Sequence, residues 1–346
     1  VTASLSAVSA LQVTVTLAKT GTATETLDYT LAGEIQVSAG SQSSAITITA
    51  VNDTLNELGE TVVIDINTVT NGTESGIQQR TITITDNDGS PTVTLSVVAG
   101  AIAETGGTKL VTASLSGASS LDVTVTLSKS GTATEGATND YTLGNTILIT
   151  ASNTSASITL TSVGDLLDET DETVVVDIAS VTNGTEATPQ TVTVTITDDD
   201  PAPTVTLSAN NLTVTENSGT ATVMATLNTP SALPVTVTLT KGGTATEGAT
   251  NDYTLNGTII ISAGSTSASQ TLSSVSDLRD ELDETVIVDI ATVTNGTESG
   301  VQTVTVTIND DDAAPSVTLS VVGSSINEAS GVTATTVTAL LNAVSN

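Results

Sequence analysis

The sequence of 346 residues contains no cysteine, histidine, phenylalanine or tryptophan. Serine and cysteine catalytic triads, zinc sites and thioredoxin-like redox chemistry therefore lose their usual residues. We expect no enzyme activity, because no nucleophile stands beside a base and the acidic clusters are too crowded to hold a separate acid and base. Three tyrosines are the only aromatic residues, which argues against a carbohydrate-binding platform.

Basic residues are also scarce, with six Lys and Arg against 38 Asp and Glu and a net charge of -32. Such a chain repels a phosphate backbone instead of releasing its counterions. Nucleic acid and anionic membranes are therefore not expected partners. No apolar run approaches the roughly 20 residues needed to span a bilayer, so we predict no membrane span in this sequence.

Internal repetition is the strongest signal that the sequence contains. Tyr29, Tyr141 and Tyr253 stand in identical Asp-Tyr-Thr-Leu motifs, 112 residues apart. The opening "VTASLSAVSALQVTVTL" matches "VTASLSGASSLDVTVTL" at 111–127. We therefore expect this sequence to be a section of a longer array. The predicted units are 1–91, lacking its first strand; 92–203 and 204–315, both complete; and 316–346, the first strands of a further unit.

Each unit is predicted to be all-β, with short strands separated by Gly, Asn, Ser and Asp clusters. Within one complete unit the predicted strands are 92–98, 109–116, 121–128, 145–150, 156–163, 172–181 and 190–197. Seven short strands in about 110 residues are typical of a Greek-key, immunoglobulin-like β-sandwich. Since Phe and Trp are lacking, the core must be aliphatic.

An acidic run follows the last strand of each unit, as in "VTVTITDDDPAP" at 192–203 and "VTVTINDDDAAP" at 304–315. Adjacent carboxylates repel one another unless a cation lies among them. Other acids are expected at the same pole of the sandwich, including Glu104 at the end of the first strand, Asp140 before Tyr141, and the run "GDLLDETDE" at 164–172. Oxygen ligands at this density, with no nitrogen or sulfur ligands, favour Ca²⁺.

At these residues the sequence resembles the Calx-beta repeat family, through "GTATEGATNDYT", "DLLDETDETVVV" and "TVTVTITDDD". That family includes regulatory domains of sodium/calcium exchangers, a segment of an integrin tail and tandem modules of very large bacterial surface proteins. The resemblance implies calcium ligands in the second unit at Glu104, Asp140, Asp165, Glu169, Asp198, Asp199 and Asp200, with Glu172 as a direct or supporting ligand. In the third unit it implies Glu216, Asp252, Asp277, Glu281, Glu284, Asp310, Asp311 and Asp312.

The first unit departs from this pattern. Its matching acids are Asp28, Asp53, Glu57, Glu60, Asp86 and Asp88. Asn87 interrupts the aspartate run, Asn56 stands where the second unit has Asp168, and Gly59 stands where it has Asp171. We therefore expect weaker or fewer ions in the first unit. In the last unit, Glu328 takes the position of Glu104.

Other interpretations of these patterns remain open. An acidic surface can be a solvated or salt-adapted face, and alternating threonine suits both an ice-binding surface and the ordinary outer face of an antiparallel sheet. Glycans are candidate partners, since the Asn-Gly-Thr sequences fit N-glycosylation but equally fit turn chemistry. The four Asn-Gly-Thr sequences begin at Asn71, Asn183, Asn256 and Asn295.

We predict a structural array: a stalk or fibre of an extracellular, microbial cell-surface protein in which Ca²⁺ rigidifies the domain junctions. The near-identical units favour this hypothesis, because reach grows with the number of copies. The alternatives are calcium-sensing regulatory domains and an adhesive or non-catalytic region of a large secreted protein. The expected partner is the protein itself, in head-to-tail units. A continuous or fibre-forming array is favoured over strand exchange.

Overall fold

The computed structural model describes residues 1–328 and 334–343 and contains strands but no helix in that part of the chain. The all-β fold class predicted from the sequence is thereby confirmed. No helix in the described ranges is long and apolar enough to cross a membrane. The chain forms two compact structural units, each of which is larger than one sequence repeat. The first is Val1–Gly164 with Glu172–Thr197, and the second is Asp165–Asp171 with Asp198–Asn346.

The first unit contains eighteen strands, from two successive repeats. The first repeat forms β1 (Thr2–Ser4), β2 (Val13–Gly21), β3 (Tyr29–Thr30), β4 (Glu34–Val37), β5 (Ser43–Ala45), β6 (Thr49–Ala50), β7 (Glu60–Thr70) and β8 (Gln79–Ile84). The second repeat forms β9 (Thr92–Val97), β10 (Ile102–Ala103), β11 (Thr108–Leu115), β12 (Val123–Gly131), β13 (Tyr141–Thr142), β14 (Thr146–Ile149), β15 (Ser155–Ser162), β16 (Glu172–Thr182), β17 (Thr185–Glu186) and β18 (Thr191–Thr197).

Two five-stranded sheets make up the second repeat, in the orders β13-β15-β11-β9-β17 and β10-β18-β16-β12-β14. All neighbours are antiparallel except the edge pairs β10–β18 and β9–β17, which are parallel. Valine and threonine alternate along β12, and because side chains of a strand point to opposite faces in turn, Val123 and Val125 are buried while the threonines face outward. Residues of both sheets share one core, which is aliphatic apart from Tyr141.

The chain changes sheets between β9 and β10. It passes Gly100 at φ 110°, a backbone conformation that glycine adopts without steric cost, and then runs beside the last strand, β18. The backbone N–H of Glu104 donates to the carbonyl of Thr197 at 2.9 Å. The sequence placed Glu104 at the end of the first strand, which is wrong: it follows the short strand β10, at the end of β18.

The first repeat keeps the four-stranded sheet β4-β2-β7-β8, but its other sheet is reduced to the pairs β1–β5 and β3–β6. Where the second repeat has the continuous strand β15, the first has the two short strands β5 and β6. Ile48 is half-buried, whereas Leu160 at the same position of the second repeat is fully buried.

The second unit repeats this architecture from residue 204 onwards. Its strands are β19 (Thr204–Ala209), β20 (Thr213–Thr215), β21 (Thr220–Leu227), β22 (Val235–Gly243), β23 (Tyr253–Thr254), β24 (Thr258–Ile261), β25 (Ser267–Ser274), β26 (Glu284–Thr294), β27 (Thr297–Glu298), β28 (Thr303–Asn309), β29 (Val317–Val321) and β30 (Val337–Leu341). The sheets are β23-β25-β21-β19-β27 and β20-β28-β26-β22-β24. The strands β29 and β30 form a separate antiparallel pair with exposed apolar side chains.

Candidate metal centre

The third repeat lies entirely in the second unit and shows the acidic site most fully. Asp252, Glu281 and Glu284 form one group, whose nearest carboxylate oxygens all lie within 4.8 Å of one another. Asp252 precedes the buried Tyr253 of β23, and Glu284 opens β26. We call this the tyrosine-side group, because one of its members always precedes the tyrosine of its repeat.

A second group of the third repeat comprises Glu216, Asp277 and Asp312, again within 4.8 Å of one another. Glu216 follows β20, and its backbone N–H donates to the carbonyl of Asn309, which fixes it beside the end of β28. Its side chain is only 7% exposed and accepts from the N–H of Asp277 at 2.7 Å. We call this the linker-side group, since Asp312 precedes the linker to the next repeat.

Four carboxylic acids of these two groups hold their protons more tightly than free carboxylic acids. Burial, followed by a hydrogen bond with Asp252, raises the pKa of Glu284 to about 7. Burial is also the main cause of the raised pKa of Glu216, Glu281 and Asp312, with neighbouring carboxylates adding to it. These shifts have the sign expected when negative charges are crowded together and removed from water.

The basic side chains near these groups do not balance their charge. Lys241 forms an ion pair with Glu247 and donates to the carbonyl of Leu255. Arg279 reaches Asp277 only at 3.9 Å, between two exposed side chains, where an ion pair contributes little. The two groups therefore keep a large uncompensated negative charge.

The second repeat carries the same residues 112 positions earlier. In the first unit, Asp140 and Glu172 lie within 4.8 Å of each other, and in the second unit Asp165 and Asp200 do so. Burial raises the pKa of Asp198 and of Asp200. Glu104 is 6% exposed and Glu169 is half-buried.

The first repeat has a tyrosine-side group of Asp28, Glu57 and Glu60, within 4.8 Å of one another. These residues line an open cleft together with Asp86 and Asp88. Burial is the main cause of the raised pKa of both Glu57 and Glu60. A linker-side group of three acids is not found among the described residues of this repeat.

Several buried carboxylate oxygens in these sites accept no hydrogen bond from the described residues: Glu60 Oε2, Asp198 Oδ1 and Asp200 Oδ2. A buried polar atom without a partner costs about 1–3 kcal/mol, and more when it is charged. Such oxygens are suited to a hard cation, so the residues present fit a calcium ion.

Not every acid proposed as a ligand joins a group of three in the described part of the chain. The remaining ones are Asp53, Asp86, Asp88, Asp198, Asp199, Asp310, Asp311 and Glu328. Asp310 still lines the cleft of the third repeat with Glu216, Glu281 and Glu284, whereas Glu328 is exposed. The ligand set as a whole therefore stays a prediction.

Two carboxylates that position the aspartate runs were not assigned as site residues from the sequence, although Asp171 was placed in the acidic run at 164–172. Asp171 Oδ1 accepts from the N–H of Asp198 at 3.2 Å, and Asp283 Oδ1 accepts from the N–H of Asp310 at 3.3 Å. Their recurrence at the same place in the run "DETDE" and "DELDE" is the signal that could have identified them. Gly59 at this position removes the interaction from the first repeat.

The Calx-beta domain model matches residues 4–88, 86–200 and 198–312. The chain therefore belongs to the Calx-beta domain family and contains three such domains in tandem, which confirms the resemblance seen in the sequence.

Among solved structures, the chain is similar to CBD12 from CALX1.2, with 17% identity, 63% of this chain and 99% of that chain covered, and a TM-score of 0.28. It is also similar to the calcium binding domain CBD12 of CALX1.1, with 17% identity, 56% and 77% coverage, and a TM-score of 0.26. Surface layer protein SbsC, domains 1–6, matches with 13% identity, 97% and 62% coverage, and a TM-score of 0.23. No curated protein matches the chain.

Proposed function

We propose that the chain is a calcium-binding array of non-catalytic Calx-beta domains. The observation that carries this proposal is the recurrence of close carboxylate groups at one position of each repeat, with buried oxygens that lack hydrogen-bond donors. Ca²⁺ takes 6–8 oxygen ligands and tolerates irregular geometry. A bound ion would supply the positive charge that the protein's own side chains do not.

The residues of the two groups would hold the ions. In the third repeat these are Asp252, Glu281 and Glu284 on the tyrosine side and Glu216, Asp277 and Asp312 on the linker side. Asp310, in the same cleft, would complete the shell. Because the strands β20, β26 and β28 fix these side chains, ion binding would be linked to the folding of the domain.

We further propose that the array serves as a stalk or fibre of an extracellular surface protein, with head-to-tail copies of the same domain as its partners. The near-identity of the repeats supports this role, since a sensor needs a few domains of differing affinity while reach grows with copy number. Protease shaving of intact cells of the source organism tests it. Release of these peptides before lysis is expected, and release only after lysis contradicts a surface location.

Calcium binding itself is tested by the melting temperature of the 346-residue chain in chelator and in millimolar Ca²⁺. Saturation at 100 times Kd should stabilise each independent site by roughly 2.7 kcal/mol, so the melting temperature should rise. Asp252→Asn combined with Glu281→Gln should remove most of the rise assigned to the third repeat.

Glu34→Gln is the matched control, because it removes a negative charge from an exposed position of β4 that belongs to neither kind of group. It should keep the full calcium response. Mg²⁺ at the same concentration should stabilise less, since it demands octahedral geometry and dehydrates reluctantly. An unchanged melting temperature with Ca²⁺ would remove the metal hypothesis.

A further inference from the structure

Asn56 occupies the position of Asp168 in the loop before the long strand of its repeat, and it makes contacts that an aspartate cannot make. Its side-chain amide Nδ2 lies 3.5 Å from Asp86 Oδ2 and 3.4 Å from the carbonyl oxygen of Asp88. An amide NH₂ group is a donor with two hydrogens, whereas a carboxylate only accepts. Asn56 therefore presents its donor to acceptor-only groups of the aspartate run.

The Asn56 amide adds a third donor to the two backbone donors of Asp86. Its Oδ1 accepts from the N–H of Asp88 at 3.2 Å, and its Oδ2 accepts from the N–H of Glu57 at 3.1 Å as well as from the Asn56 amide. Both oxygens of this carboxylate are thus supplied with protein donors.

The second repeat has no donor equivalent to the side-chain amide of Asn56. Asp198 stands where Asp86 stands, and it accepts from the backbone of Asp200 and of Glu169, the counterparts of Asp88 and Glu57. Asp198 Oδ1 is nevertheless buried without a hydrogen-bond partner in the described chain. Asp168, in the place of Asn56, brings another negative charge towards Asp198 and Asp200 instead of a donor.

The same asparagine also makes the contact from the first repeat to the second, within the first unit. Its carbonyl oxygen accepts from the N–H of Ser120 at 2.9 Å, and its Oδ1 accepts from the hydroxyl of Ser119 at 3.2 Å. Ser119 is 1% exposed. Within the second unit, Asp168 makes the corresponding contact: its carbonyl oxygen accepts from the N–H of Ala232 at 3.2 Å, and its Oδ2 accepts from the hydroxyl of Ser231 at 3.2 Å.

We infer that the Asn56 amide takes the place of a cation at the end of the first repeat, so that its contact with Ser119 and Ser120 forms without Ca²⁺. The corresponding contact of Asp168 with Ser231 and Ala232 depends on the ion. This inference rests on the proposed calcium binding and deepens it, because it assigns different ion requirements to two equivalent contacts in one chain.

Hydrogen exchange of two backbone amides, in the whole chain, measures the difference directly. In chelator the N–H of Ser120 should exchange at least about tenfold more slowly than that of Ala232, after correction for their intrinsic rates. Saturating Ca²⁺ should slow the exchange of Ala232 and leave Ser120 nearly unchanged. Equal protection of both amides in chelator would overturn the inference.

Reciprocal variants test the residue responsible. Asn56→Asp should make the Ser120 amide exchange about tenfold faster in chelator, and Ca²⁺ should restore its protection. Asp168→Asn should protect Ala232 in chelator. Asn67→Asp, at an exposed position of β7, adds the same charge and should leave Ser120 protected.

The failures of the two proposals can be told apart. If Ca²⁺ changes neither the exchange of Ala232 nor the melting temperature of the wild-type chain, calcium binding itself is wrong. If Ca²⁺ protects Ala232 but Ser120 of the wild type needs the ion equally, or if Asn56→Asp leaves Ser120 protected in chelator, calcium binding stands and the role of Asn56 is wrong.

Discussion

At the scale of single residues, some carboxylate oxygens of this protein are buried where the neighbouring groups do not donate hydrogen bonds to them. Asp252 and Glu284 illustrate this, since a hydrogen bond between the two carboxyl groups requires a proton on one of them. The energetic cost of removing that proton is visible in the pKa of Glu284, which is raised from 4.5 to about 7. A bound metal ion would therefore compete with this proton for the same oxygens.

The ion-free chain should accordingly become less stable as the pH rises from 5 to 7.5. The folded state binds the proton of Glu284 more tightly than the unfolded state, since its folded pKa is the higher one. Its contribution is fully present below the unfolded value near 4.5 and is lost as the pH passes about 7. Melting temperatures in chelator across this range measure the effect.

Glu284→Gln should flatten this dependence, because glutamine keeps a donor towards Asp252 at every pH. Glu34→Gln serves as the control and should retain the slope. With saturating Ca²⁺ the slope should reverse, since protons then displace the ion as the pH falls. A melting temperature that rises between pH 5 and 7.5 in chelator would contradict the assignment.

At the scale of strands, the Val and Thr alternation predicted most of the sandwich. The strand predicted at 172–181 is found at Glu172–Thr182, and that predicted at 92–98 at Thr92–Val97. Three two-residue strands were not predicted, because two residues show no periodicity. They are Ile102–Ala103, Tyr141–Thr142 and Thr185–Glu186. Their pairing depends on distant strands.

The acidic site shows the same limit. The density of carboxylates in the sequence predicted that acids gather at one end of the sandwich. It did not predict which acids lie together, because their grouping depends on the change of sheet that carries Glu104 to the end of β18. Nor did the sequence reveal that Asn56 donates to Asp86. Side-chain direction in a loop depends on the contacts of its backbone, here with Ser119 and Ser120.

The end of β22 depends on a glycine that brings it close to the start of β26. Gly243 has φ 108°, and a Cβ there would lie 2.1 Å from the carbonyl oxygen of Thr285. Gly243→Ala should therefore destabilise the third repeat by about 1–3 kcal/mol and weaken calcium binding, since Glu284 precedes Thr285. Denaturant unfolding and calcium titration measure the two effects.

Gly242 provides the matched control at the neighbouring position. A Cβ at Gly242 has no atom within 4 Å. Gly242→Ala should leave stability unchanged or raise it slightly, because it reduces the freedom of the unfolded chain. Equal destabilisation by both substitutions would show that close approach to Thr285 is not the cause.

At the scale of the whole molecule, the net charge of -32 opposes compaction. Simple salt screens exposed charges, with a Debye length of about 10 Å at 0.1 M and 3 Å at 1 M. In chelator, raising NaCl from 20 mM to 0.5 M should therefore raise the melting temperature. In saturating Ca²⁺ the same change should have a smaller effect, because the ions already neutralise the acidic groups.

Tetramethylammonium chloride at equal ionic strength distinguishes screening from binding of Na⁺ to the carboxylates. The two salts should stabilise the ion-free chain equally if screening is the cause. Stabilisation by NaCl alone would indicate weak site binding by a monovalent cation, and a melting temperature independent of both salts would contradict the electrostatic explanation.

Each of the three repeats contains one buried tyrosine, which is its only aromatic residue. Tyr29, Tyr141 and Tyr253 are 2–3% exposed, each directly follows an aspartate of a tyrosine-side group, and the sequence contains no tryptophan to accept their excitation energy. The intrinsic ultraviolet fluorescence therefore comes from one tyrosine per repeat. Replacing two of the three tyrosines with phenylalanine leaves a single reporter, so the occupancy of one domain can be followed by fluorescence inside the intact array without any added label.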